Sequence, residues 1–89
     1  MDRKFIIYNH NGAYLGGKLE NGTVTIISEI FDDDFNSELH VFLSKTETTK
    51  LFDILSLEEF IVYFKNKSLN KMLEFFSENK IEYSSFIVY

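Results

Sequence analysis

The sequence predicts an α+β domain: an antiparallel β-meander of about four strands plus a C-terminal strand, with three short helices packed on one face. Three observations support this prediction. Two Asn-Gly pairs separate β-rich segments in the first third, three amphipathic segments follow, and the tail is β-branched and aromatic. A chain of 89 residues fits one domain, taken as residues 1–89.

The first three strands are predicted at Lys4–Tyr8, Ala13–Leu19 and Thr23–Ile30. Asn11-Gly12 and Asn21-Gly22 lie between them and suit type I′ turns, whose two central residues both need positive φ. The sequence therefore predicts two tight hairpins.

Two-residue turns fix a register in which Ile6 lies opposite Gly17 and Ile7 opposite Gly16. Because successive side chains of a strand point to opposite faces, this register assigns each side chain to one face of the sheet. The expected core face carries Ile6, Tyr8, Leu15, Leu19, Val24, Ile26 and Ile30. The other face is mixed and carries Phe5, Ile7, Tyr14, Lys18, Thr25, Ile27 and Glu29.

Gly16-Gly17 interrupts the middle strand and allows two interpretations. One is a bulge or bend where neighbouring side chains fold over the glycines. The other is a backbone patch open to a ligand. A dinucleotide fingerprint is excluded, since the GxGxxG pattern is absent.

Residues 31–37 are predicted to form a loop, because Asp and Asn favour turns and adjacent like charges repel. A fourth strand is expected at Glu38–Leu43, antiparallel to the third. The tail Ile81–Tyr89 is expected to join the sheet as the last strand; alternatively, it is an edge strand available to a partner.

Helices are predicted at about Lys45–Leu55, Leu57–Asn66 and Leu69–Asn79. The pairs Ser44/Glu47 and Ser56/Glu59 have the spacing of capping boxes. The inward positions are Leu51, Phe52, Leu55, Leu57, Phe60, Ile61, Phe64, Leu69, Met72, Leu73 and Phe76.

Composition excludes several classes of function. The chain has no cysteine, which rules out disulfides, thiolate zinc sites and iron–sulfur clusters and favours a reducing, cytoplasmic setting. No apolar run approaches the length of a membrane-spanning helix or a signal peptide. A net charge of −5 with a single arginine argues against direct nucleic-acid binding.

No motif fixes a reaction, so no catalytic residue, cofactor or metal site is expected. His10 and His40 lack partners at helical metal-ligand spacing. Asp32, Asp33 and Asp34 lack the alternation, central glycine and terminal glutamate of a calcium loop. An enzyme would need a pocket that joins one of the histidines to carboxylates.

The charge distribution suggests a site for a basic partner. Residues 20–59 contain ten acidic and two basic side chains, while the rest of the chain has a net charge of +3. Such a surface accelerates association with a basic protein, although acidic loops also merely aid solubility. Phe31 and Phe35 flank the three aspartates and are either anchors for the partner or core residues. The expected partner-binding residues are Glu29, Phe31, Asp32, Asp33, Asp34, Phe35 and Glu38.

In general character this small, acidic, cysteine-free α+β chain resembles the immunity proteins of bacterial contact-dependent and polymorphic toxin systems. The resemblance implies a stoichiometric inhibitor that covers the nucleic-acid site of a basic toxin domain, often a nuclease. Phage-encoded inhibitors of host nucleases share this character. The remaining alternative is a general interaction module or homodimer that uses the mixed sheet face or the C-terminal strand.

Overall fold

The structure is a computed structural model that describes residues 2–10, 12–32 and 35–88; for residues 30–32 and 35–36 it describes the backbone alone. The expected α+β architecture is confirmed. The elements in chain order are β1 (Arg3–His10), β2 (Ala13–Glu20), β3 (Thr23–Asp32), β4 (Phe35–Leu43), α1 (Lys45–Ile54), α2 (Leu57–Phe64), α3 (Leu69–Glu78) and β5 (Ser84–Val88).

The sheet is an antiparallel meander in which the strands lie in the order β1-β2-β3-β4-β5. Asn21 and Gly22 join β2 to β3 with φ values of 51° and 79°, as a type I′ turn requires. Gly12 also has a positive φ of 76° between β1 and β2, whereas Asn11 lies outside the described residues.

A β-bulge in β1 makes part of the expected register wrong. Tyr8 pairs with Leu15, as two-residue turns dictate, but Ile6 pairs with Gly16 and Phe5 with Gly17. The extra residue is Ile7, so the pairing of residues 3–6 with β2 is shifted by one position from the expected register.

The shift also exchanges the faces of three side chains. Phe5 and Ile7, expected on the mixed face, are buried in the core, and Ile6, expected in the core, is 56% exposed. Tyr8 and Leu19 pack against the core, and Leu15, Val24 and Ile26 are buried within it, as expected. The side chain of Ile30 lies outside the description.

The expected loop at residues 31–37 is wrong. β3 and β4 remain paired through Ile30 with Ser37, Phe31 with Asn36 and Asp32 with Phe35. The ladder continues because two residues suffice to connect antiparallel strands, so the backbone groups on either side can bond to each other. Those two connecting residues, Asp33 and Asp34, lie outside the described part of the chain.

Serine side chains begin all three helices of the described chain. Ser44, Ser56 and Ser68 accept hydrogen bonds from the backbone N–H groups of Glu47, Glu59 and Lys71. The capping box is complete at Ser56/Glu59, since the Glu59 carboxylate also accepts from the Ser56 N–H. The expected box at Ser44/Glu47 is only half formed, because the Glu47 carboxylate accepts from other donors.

The core lies between one face of the sheet and the helices. α1 packs on β3 and β4, and α2 packs on β1. The Phe60 ring contacts Phe5 edge-on at 6.4 Å and lies parallel to Phe76 of α3 at 6.5 Å between centroids. All inward helical positions expected from the sequence are buried or pack against this core.

The glycine pair in β2 is covered by aromatic rings, which confirms the first interpretation of this segment. A Cβ at Gly16 would lie 2.8 Å from Tyr14 Oη, and one at Gly17 would lie 2.8 Å from Phe5 Cζ. The two rings lie on opposite faces, and the bulge itself is in the neighbouring strand β1.

The tail joins the sheet, as expected, and also forms its edge. β5 pairs with β4 from Phe42–Ser84 to Glu38–Val88. Every residue of β5 is exposed, so the strand contributes little to the core.

Candidate functional site: the acidic hairpin and the open sheet face

The β3–β4 hairpin extends past its neighbours at one end of the sheet. The pairs formed by β2 with β3 end at Tyr14–Glu29, and those formed by β4 with β5 end at Glu38–Val88. Beyond these positions, the described backbone of residues 30–32 and 35–37 pairs only between β3 and β4. The described part of the hairpin is therefore a two-stranded projection, and three consecutive aspartates, residues 32–34, belong to the same segment of the sequence.

Glu29 and Glu38 lie directly opposite each other at the base of this projection. Directly opposed side chains point to the same face of a sheet, with Cβ atoms about 5 Å apart. Within the described chain, no lysine or arginine forms an ion pair with either glutamate. Two negative charges thus lie on one face of the sheet without a lysine or arginine between them. Their repulsion destabilises the isolated domain.

His40 contacts one member of this pair, Glu38. Its Nε2 lies 3.0 Å from Glu38 Oε1, and the two residues occupy successive positions on the same face of β4. The imidazole also packs against the Phe86 ring, with centroids 5.2 Å apart. A protonated imidazole would offset part of the Glu29–Glu38 repulsion.

The structure brings some of the expected partner-binding residues together and leaves others outside its description. Glu29 and Glu38 are opposed, and the backbones of Phe31, Asp32 and Phe35 continue the same hairpin. The side chains of Phe31 and Phe35, expected to be either anchors or core residues, lie outside the described part of the chain. Asp33 and Asp34 lie between β3 and β4, outside the described residues.

Three other acids of residues 20–59 are engaged within the helical layer. Glu58 accepts a hydrogen bond from Arg3 at 2.9 Å, and this guanidinium lowers the pKa of Glu58. The backbone N–H of Ser56 lowers the pKa of Glu59. Glu47 is nearly buried, and a bond from the backbone N–H of Glu82, followed by one from Lys50, lowers its pKa.

The acidic run along the sequence is therefore divided in space. Part of it lies at the hairpin, where Glu29 and Glu38 are placed, and part supports the helices. Glu29 and Glu38 have no lysine or arginine partner among the described residues, whereas Glu47 and Glu58 are paired with Lys50 and Arg3.

The face of the sheet opposite the helices, here called the open face, carries the base of the hairpin. Cross-strand pairing places Lys4 beside Lys18 at the far end and Glu29 beside Glu38 at the hairpin end. The row between them is mainly apolar and consists of Ile6, Gly16, Ile27, His40 and Phe86. Of the residues expected on the mixed face, Tyr14, Lys18, Thr25, Ile27 and Glu29 are confirmed on it.

The histidines do not form a catalytic arrangement with the groups described around them. His40 has apolar cross-strand neighbours, Ile27 and Phe86, and His10 is exposed and packs on Tyr8 at 5.4 Å. A groove on the open face beside Ile6 and Tyr14 includes neither imidazole. Within the described residues, no group of three or more potential ligands could hold a metal ion.

Sequence reasoning missed the bulge at Ile7 and the continuation of the β3–β4 ladder. The four consecutive β-formers Phe5–Tyr8 in β1 give no sign of which one is the extra residue. The sequence did contain a signal for the continued ladder, since Asp33 and Asp34 are two turn-forming residues between Phe31-Asp32 and Phe35.

No protein-family model, curated protein or solved structure matches this chain. None of the described helices has the length and apolar character needed to cross a membrane.

Proposed function

We propose that this domain is a stoichiometric inhibitor that binds a basic protein through the β3–β4 hairpin, in the manner of bacterial immunity proteins. The partner would be a toxin domain, with a nuclease as the leading candidate, because a nuclease binds its polyanionic substrate through a basic surface. The hairpin acids would occupy that surface and exclude the nucleic acid. The action belongs in the cytoplasm, where the absence of cysteine is ordinary.

The observation that carries the proposal is the opposition of Glu29 and Glu38 at the base of a projecting hairpin. A like-charged cross-strand pair is unfavourable in the free domain. A lysine or arginine from a partner, placed between the two carboxylates, converts the repulsion into two attractive interactions. In the sequence, three consecutive aspartates at positions 32–34 add to the negative charge of the same segment.

The projecting shape supports the same function. A two-stranded hairpin that reaches beyond its sheet has the shape to enter a concave active site. Glu58 and Glu59 are held by Arg3 and by the Ser56 cap, so their charges are already satisfied by the fold. Glu29 and Glu38 have no lysine or arginine partner among the described residues, so their charges are available to a partner.

The test compares two sets of neutralised variants in binding to purified basic toxin nuclease domains. The hairpin set is Glu29→Gln, Glu38→Gln and Asp32→Asn, and the control set is Asp53→Asn, Glu74→Gln and Glu78→Gln, which are exposed helical acids. We expect a 1:1 complex that abolishes nuclease activity, weakens with added salt and is lost in the hairpin set alone.

Equal loss of affinity in both sets would show that only net charge matters and would contradict a hairpin site. Failure to inhibit or bind any basic nuclease, together with recovery of acidic or neutral proteins alone by affinity capture, would overturn the proposed function.

A further inference from the structure

The two edges of the sheet differ in how they are protected against pairing with another strand. β1 carries Arg3 and Lys4 and is distorted by the bulge at Ile7, and both features discourage a new strand from adding. β5 has no charged residue, no proline and no register shift in its pairing with β4. Within the described chain, nothing pairs with its outer side.

The side chains of β5 are unusually apolar for an exposed strand. Phe86, Ile87 and Val88 are 50%, 49% and 40% exposed. Phe86 and Val88 belong to the open face, whereas Ile87 lies on the helix side. Since Ile87 remains half exposed there, the helices leave room for another strand to approach β5.

We propose that β5 pairs antiparallel with β5 of a second copy of this chain, about a two-fold axis at Phe86. The two five-stranded sheets would then form one continuous sheet of ten strands. This arrangement satisfies the outer backbone groups of both edge strands and covers the exposed aliphatic side chains.

The order of residues in β5 favours a second copy over an unrelated peptide. Pairing about Phe86 places Ile87 of each copy opposite Ser85 of the other, and Val88 opposite Ser84. Ile87 and Val88 thus each meet a serine, and the two Phe86 rings meet at the axis. The strand carries no charge, so identical copies do not repel each other along it.

A single strand pair makes a small interface, so we expect reversible dimers with a dissociation constant of about 10–100 µM. This self-association is argued from the exposed edge of β5 and not from the proposed function, although Val88, at one end of that edge, pairs with Glu38 at the base of the hairpin. Sedimentation equilibrium of the whole chain, over concentrations from below to above this range, measures it directly.

Charged substitutions test the position of the contact. Phe86→Lys places two lysines against each other at the axis and should weaken the dimer at least about tenfold. Ile87→Lys, at a residue outside the His40 contact, should weaken it as well. Val62→Lys is the matched control, because Val62 is 72% exposed on α2. Far-UV circular dichroism establishes that each variant is folded.

Engineered cysteines test the register, since the chain has no cysteine of its own. Directly opposed residues have Cα atoms about 4.5–5.5 Å apart, within disulfide range, so Phe86→Cys should cross-link under mild oxidation. Ile87→Cys, whose copies are diagonal at about 7–8 Å, should cross-link far less, and Val62→Cys should behave as a monomer.

A wild-type chain that stays monomeric throughout the concentration range overturns the proposal. A dimer that both lysine variants leave unchanged overturns it too, as would cross-linking through Val62→Cys in place of Phe86→Cys.

Discussion

Glu47 Oε1 accepts a 2.7 Å hydrogen bond from the backbone N–H of Glu82, 35 residues further along the chain. The same oxygen accepts a bond from Lys50 Nζ at 3.0 Å. A carboxylate near the start of α1 thus holds the segment that leads from α3 into β5. These two hydrogen bonds satisfy the Glu47 carboxylate, which is only 8% exposed. Only the Glu47 N–H takes part in the capping of α1, where it donates to Ser44 Oγ.

Replacing Glu47 should loosen this connection in a graded way. Glu47→Gln keeps an acceptor oxygen but loses the charge, and Glu47→Ala leaves the Glu82 N–H without its acceptor, so we expect stability in the order wild type, Gln, Ala. Thermal unfolding measures the order, and hydrogen exchange at the Glu82 amide should accelerate. Asp53→Asn, on the exposed side of the same helix, should leave both unchanged. Equal melting temperatures for all three Glu47 chains would contradict this role.

Acid should destabilise the fold through three glutamates. Hydrogen bonds from Glu82, Arg3 and Ser56 lower the pKa values of Glu47, Glu58 and Glu59, respectively. The folded state therefore binds protons less readily than the unfolded chain does. This contribution to stability is complete above the ordinary glutamate pKa of about 4.3 and is lost as pH falls through the lowered values.

Melting temperatures measured from pH 7 to pH 3 should decline in the acidic part of that range. A variant with Glu47→Gln and Glu59→Gln should start lower and decline less steeply. A parallel decline in wild type and variant would assign acid sensitivity to other carboxylates.

Lys80 occupies a backbone conformation that suits glycine. It has a φ of 57° at the end of α3, where the Lys80 and Ile81 N–H groups bond to the carbonyls of Ser77 and Phe76. Lys80→Gly should therefore stabilise the fold by about 1 kcal/mol. Lys71→Gly, inside α3, should destabilise it by about 1 kcal/mol, which urea unfolding can resolve. A loss of stability in Lys80→Gly would show that the lysine makes a compensating contribution.

Gly17 has no room for a side chain. A Cβ there would meet the Thr25 carbonyl oxygen and lie 2.8 Å from Phe5 Cζ, in the buried part of the sheet. Gly17→Ala should cost about 1–3 kcal/mol, because both the β2–β3 pairing and the Phe5 ring must shift. Ser28→Ala, in the adjacent strand, is the control, and an unchanged urea midpoint for Gly17→Ala would contradict the close approach.

The opposed glutamates predict a conflict between stability and binding. Glu29→Gln removes one of two like charges and should stabilise the free domain by about 0.5 kcal/mol while weakening its complex with a basic partner. Urea unfolding and titration calorimetry measure the two effects. Thr25→Gln, a neutral substitution on the same face of β3, is the control. A Glu29→Gln variant that binds more tightly would contradict a role for this carboxylate in recognition.

Much of the fold was predictable because its signals are local. The Asn21-Gly22 turn and the helix-capping serines Ser44 and Ser56 depend on residues that are neighbours in sequence, and the structure has them where expected. The opposition of Glu29 and Glu38 could be predicted only in part from the sequence. Both were identified as candidate site residues, but their pairing depends on β3 and β4 continuing as strands through the expected loop.

The sequence by itself determined the α+β class, the meander and the helical positions that face the core, since turn chemistry and periodicity act over a few residues. Only the tertiary structure decided which side of β1 faces the helices, because the single extra residue Ile7 exchanges the faces of Phe5 and Ile6. It also decided that Glu47 is bonded within the fold whereas Glu29 and Glu38 face each other, because distant segments meet only when the layers pack.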